Sequence, residues 1–148
     1  MVDFSNVAKL KFDGKPVPFI IDELEGSPTL FVLPANDSNE ELLNYVLKNS
    51  AKLTRLSRQK ADANMLAATR KQDRDTYSRF VIKGWDDVVE ASGKAVPFSQ
   101  QNCHDFLTAL PDFIFDRLRN FCMTPANFMN VGDDIGLPEP GEPAEPGN

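Results

Sequence analysis

Residues 107–121 read LTALPDFIFDRLRNF, and their spacing sets the character of the molecule. Leu107, Leu110, Ile114, Leu118 and Phe121 recur at steps of three and four, the repeat of one helix face, with Phe113 and Phe115 alongside. Pro111 suits the first position of a helix, where its missing N–H costs nothing. Before it, Ser99 has the chemistry of an N-cap and starts a helix running to about Ala109. After it, Pro125 opens a short turn carrying Phe128 and Met129.

Upstream, no Gly or Pro interrupts the chain from Asn36 to Ile82. Ser38 and Glu41 have capping-box spacing, and Leu42, Val46, Leu53 and Leu56 fall on one stripe. The pattern predicts one long helix, or two with a bend, over 38–82, with the stripe weakening around Ala61–Ala68. Between this region and the C-terminal helices, Lys83-Gly84-Trp85 reads as a turn ending the helical run. Val88-Val89 and Val96-Pro97-Phe98 then form a short ribbon around Ser92-Gly93.

The first 34 residues have a different periodicity. Leu10 and Phe12 alternate with Lys9 and Lys11, and Asp13-Gly14 supplies tight-turn residues, which predicts a hairpin between Ala8–Phe12 and Val17–Ile21. Pro16 and Pro18 restrict the return segment to a sheet edge. Glu25-Gly26-Ser27-Pro28 is a second turn before a short strand, Thr29–Leu33.

Together these readings predict an α+β fold in a single domain over 1–130. It comprises a small N-terminal antiparallel β unit (7–34), a long helical region (38–82), and a Trp turn with C-terminal helices (84–130). Residues 131–148 are rich in Pro, Gly and Glu, with too little apolar surface to offset their ordering entropy, and predict a flexible, disordered acidic tail.

The totals fit. At 148 residues, 41% hydrophobic and with eleven Phe, the chain can build a real core. No run approaches the ~18 apolar residues of a membrane span, and the N-terminus lacks the basic and apolar blocks of a signal peptide. A cytoplasmic protein with no membrane contact is the expectation. Cys103 and Cys122 are too few for a disulfide framework and read as small buried hydrophobes.

No residue pattern in the sequence assembles a catalytic or metal site. Cys103, His104 and Asp105 are adjacent on a helix and point about 100° apart, so they form no triad. With Cys122 they fall short of the four ligands and paired short spacings of structural zinc. Asp86-Asp87 has no matching calcium loop, and no GxxxxGK[ST] phosphate loop occurs. The expectation is a non-enzymatic protein with no catalytic residues, cofactor or metal, one that works by binding other proteins.

Candidate binding residues come from apolar surplus and from charge. The stripe of 107–121 is wider than a monomer needs, which marks Phe113, Phe115, Leu118 and Phe121 as core or interface. Trp85 and Phe98 carry the same two readings. Net charge is −6, yet 48–83 holds ten basic residues against three acidic ones, leaving thirteen excess negative charges elsewhere. Arg55, Arg58, Arg70 and Arg74 in that stretch are either solvated or bind an acidic surface, including that of a neighbouring copy. Few aromatics interleave with them, so nucleic acid is a weaker fit.

Gly84-Trp85, Val88, Gly93, Val96-Pro97-Phe98-Ser99 and Asn102 precede Leu110-Pro111-Asp112 and the segment Phe115-Asp116-Arg117-Leu118-Arg119-Asn120-Phe121. This order resembles the tail assembly chaperones of long-tailed bacteriophages and prophages, in which a W-x-x-V … G-x-x-V-P-F-S turn leads into an LPD-x-x-F-x-x-L-R helix. The resemblance covers about a third of the chain. It implies a non-catalytic oligomer that binds the tape-measure protein and tail-tube protein during tail assembly, in the host cytoplasm and outside the finished virion. In many relatives a ribosomal frameshift appends a C-terminal extension. The alternative is a minor phage structural protein, or a nucleic-acid-associated one using the basic helix 48–83.

Overall fold

Proline-bearing Val17–Ile20 and apolar Thr29–Val32 form strands β1 and β2, which pair antiparallel from Val17↔Val32 to Ile20↔Thr29. The computed structural model describes residues 12–57 and 62–129, without the side chains of Leu53, Thr54, Leu56 and Ser57. Residues 8–11 of the expected strand Ala8–Phe12, Arg58 and the acidic tail lie outside the described residues. A third strand, β3 (Ile82–Asp86), joins antiparallel on the other side of β2, giving the order β1-β2-β3. Inward residues Phe19, Leu30, Val32 and Ile82 are buried against the helices, whereas Pro18 and Ile20 face out.

The turn expected at Glu25–Pro28 is the one that joins β1 to β2, and the hairpin expected between Ala8–Phe12 and Val17–Ile21 falls mostly outside the described residues. Asp13 accepts from the Lys15 N–H (3.0 Å) and Gly14 takes φ +86°, but Phe12 forms a bridge with Met129, not with β1. Pro16 and Pro18 supply no N–H, so the outer edge of β1 is a poor template for another strand. β1 and β2 connect through Ile21–Pro28, closed by Ile21 N–H to Pro28 O (2.9 Å), with Gly26 at φ +82°.

The long helical region is three helices: α1 (Glu40–Lys48), α2 (Ser50–Ser57) and α3 (Ala63–Phe80). The N-cap of α1 is Asn39, whose side chain accepts from Leu42 N–H at 3.2 Å. Ser38 does not fill the expected capping box; its N–H goes to Asn36 Oδ1 (2.9 Å). Asn39 wins because its amide also donates to Pro34 O (3.1 Å) and Phe80 O (2.9 Å), tying the exit of β2 and the end of α3 to the start of α1. Asn49 breaks the run by turning its amide back onto Tyr45 O (2.9 Å). Asp62 caps α3 through Met65 N–H (2.9 Å).

Gly84-Trp85 lies within β3, with Leu30↔Trp85 and Phe31↔Gly84 as pairs, so the expected turn is a strand. The ribbon after it forms as anticipated, with Val89 bridging Ala95, Val96 N–H bonded to Val88 O (2.9 Å) and Gly93 at φ +87°. Ser99 caps α4 (Gln100–Ala109) through Asn102 N–H (3.0 Å). Pro111 is the N-cap of α5 (Asp112–Cys122), and a 3₁₀ turn follows at Pro125–Phe128. Sheet and helices share one core, centred on Ile21, Leu30, Val81, Leu107, Ile114 and Phe115. The α+β fold, with a small antiparallel sheet and a mainly helical body, is as the sequence predicts.

Candidate protein-binding surfaces

Trp85 projects from β3 beneath the 88–96 ribbon, and its indole N–H donates to Val96 O at 2.9 Å. Phe98 meets it edge-on with ring centres 5.1 Å apart, and Phe106 of α4 lies 5.5 Å away. The indole's polar end is satisfied and two aromatic rings pack against it, so Trp85 fastens the ribbon to the sheet. Phe98 stands at the rim of this cluster, 37% exposed, with Val89 of the ribbon 54% exposed.

On α5 the apolar surplus divides sharply. Phe115 and Leu118 are fully buried and pack in the core, the first of the two readings their spacing allowed. The Phe115 ring packs against Tyr77 of α3 at 5.7 Å. Phe121 is half-buried between Phe19 and Phe128, at 5.2 and 5.8 Å. Phe113 alone of the four faces solvent, 65% exposed.

The arginines divide as well. Arg70 reaches from α3 to α5, holding Asp116 at 2.8 Å and Asp112 at 3.3 Å. Arg74 donates to Leu107 O (2.7 Å), Leu110 O (2.9 Å) and Asp112 (3.0 Å), with its guanidinium 4.6 Å above the Phe115 ring. Arg119 returns from α5 to Asp73 at 2.7 Å. The hydrogen bond from Arg70, and then that from Arg119, hold the Asp116 carboxyl down at about 2 against the opposing effect of desolvation. Two of the four candidate arginines are thus committed to fixing α3 on α5. Arg55 is exposed on α2, and Arg58 lies outside the described residues.

Sequence reasoning missed a groove between α1 and α3. It has a volume of about 750 Å³, opens to solvent, and is lined by Tyr45, Lys48, Lys52, Gln72, Asp75 and Arg79 among others. The Tyr45 and Phe80 rings are 5.1 Å apart, and Gln72 donates to the Tyr45 hydroxyl at 3.1 Å. The sequence signal is slight: Lys48 and Lys52 one turn apart beside an aromatic.

Burial pushes the Cys103 and Cys122 thiols up to about 12, which suits inert core residues. His104 borders a cavity of about 190 Å³ with Asp75, Ser78, Gln100 and Gln101. Among the described residues, no three His, Cys, Asp or Glu gather to hold a metal ion, and no helix is long and apolar enough to cross a membrane.

The sequence pattern of the YdaY prophage protein family matches residues 38–131. The chain belongs to that family. The matched span of this YdaY-family protein runs from the capping loop of α1 through the 3₁₀ turn, and it includes β3, the Trp85 cluster and the Arg70–Asp116 network. Strands β1 and β2 precede it. No curated protein and no solved structure matches the chain.

Proposed function

We propose that this prophage protein is a tail assembly chaperone: a non-catalytic protein that self-associates in the host cytoplasm and binds the tape-measure and tail-tube proteins during tail morphogenesis. The observation that carries the reading is Phe113, a large aromatic left 65% exposed at the start of α5, inside the very LPD segment that resembles those chaperones. Exposed Phe98 and Met123 add apolar surface. An amphipathic partner helix docks on such side chains through anchors one turn apart. Membership of a prophage family supports the setting. The commitment of Arg70 and Arg74 to Asp112 and Asp116 weighs against the nucleic-acid alternative.

The test is co-expression with the tape-measure-length reading frame of the same prophage. The expected result is a long protein that stays soluble and co-elutes with this chain on size exclusion. A long protein equally insoluble with and without this chain would overturn the reading.

A further inference from the structure

The α1–α3 groove combines an aromatic floor with a cationic rim. The Arg79 guanidinium lies 5.0 Å from the Tyr45 ring centre and 4.9 Å from that of Phe80. The two acids of the groove are already engaged, Glu41 with Lys83 at 3.4 Å and Asp75 with Arg79 at 3.6 Å. Lys48 and Lys52 make no ion pair among the described residues, and exposed Arg55 follows them on α2. Aromatic rings flanked by unpaired cations suit an extended peptide of prolines and carboxylates.

The chain carries such a peptide. Residues 138–146 read PEPGEPAEP, with Glu139, Glu142 and Glu145 at every third position, and no Lys or Arg occurs from 130 to 148. A polyproline II backbone has three residues per turn and rises about 3.1 Å per residue, so three such carboxylates line one face about 9 Å apart. In such a backbone positions 140, 143 and 146, all proline, share a second face. The connection is long enough. Met129 and Ser38 border the same small cavity, and Asn39 begins α1. From there Lys48 is about 14 Å along the helix, while residues 130–138 can span about 30 Å when extended.

We propose that the α1–α3 groove is a receptor for an acidic, proline-rich strand, and that residues 138–146 of the same chain occupy it. An incoming acidic partner must displace that strand. The assignment is independent of the chaperone reading.

The test uses the full chain with Ala144→Cys carrying a nitroxide, since Cys103 and Cys122 are buried and unreactive. The expected result, at about 50 mM salt where screening is weak, is selective broadening of the amide signals of Tyr45, Lys48, Asn49, Lys52 and Arg79. Replacing Glu139, Glu142 and Glu145 by Gln removes most of it without touching the folded body. Lys48→Glu with Lys52→Glu does the same, and adding Glu→Lys at the three tail positions restores it. Groove signals that stay sharp, or broaden equally after the Gln replacements, overturn the proposal. So does broadening seen only between separate labelled and unlabelled molecules, which assigns the groove to a neighbour's tail.

Discussion

Phe113 and Phe115 stand two positions apart on α5, which on a helix points them about 200° apart, and their fates follow from that. Phe115→Ala opens a cavity beneath Tyr77 and Arg74 and is expected to cost about 3–5 kcal/mol in urea unfolding. Phe113→Asp is expected to change stability by less than about 0.5 kcal/mol, because an acid is also favourable in the first turn of a helix. Asn39 is the polar counterpart of Phe115. Asn39→Ala removes a cap and leaves Pro34 O and Phe80 O without their donor, for an expected loss of about 2–3 kcal/mol. Asp116 makes stability depend on acid. Its folded carboxyl sits near 2, below the usual value of 3.8, so its contribution is complete above about pH 4. As pH falls from there through 2, that contribution is lost. Asp116→Asn should flatten this part of a stability–pH curve and leave the slope above pH 5 unchanged.

Local chemistry decides most elements here, and those were readable. Ser99 capping α4, the ribbon around Gly93, the apolar face of α5 and the edge character of the Pro16–Pro18 strand all follow from neighbours a few residues apart. What sequence did not reveal is non-local. β3 holds its place by pairing with β2 more than fifty residues earlier, and its five residues include Gly84, so only the tertiary partner makes it a strand. Asn39 defeats Ser38 as a cap because of Phe80, forty-one positions away. The division of candidate site residues has the same origin. The helical repeat sets Phe113 and Phe115 on opposite sides of α5, but only the position of α3 shows which side is covered. Arg74 illustrates the same dependence on partners: it supplies the donors for Leu107 O and Leu110 O at the end of α4. Arg74→Lys lacks the planar fork that reaches both carbonyls. It should lower stability by about 1–2 kcal/mol and speed amide exchange in α3 and the adjoining last turn of α4.

Across the whole molecule, segregated charge turns out to be partly internal glue. Arg70, Arg74, Arg79 and Lys83 of the basic stretch all pair with acids of the same chain, leaving Lys48, Lys52, Arg55 and Lys71 as its exposed cations without an ion pair among the described residues. If the chain self-associates as proposed, an assembly held through Phe113 should keep its sedimentation mass from about 50 to 500 mM salt, whereas one built on the basic helix would dissociate. The central claim is that the exposed edge of α5 holds another polypeptide. Titrating a soluble segment of the tape-measure protein into wild-type and Phe113→Asp chains of matched thermal stability tests it most directly. The expected result is affinity at least tenfold weaker for the variant, the ordinary effect of losing an aromatic anchor; equal affinity for the two would contradict the claim.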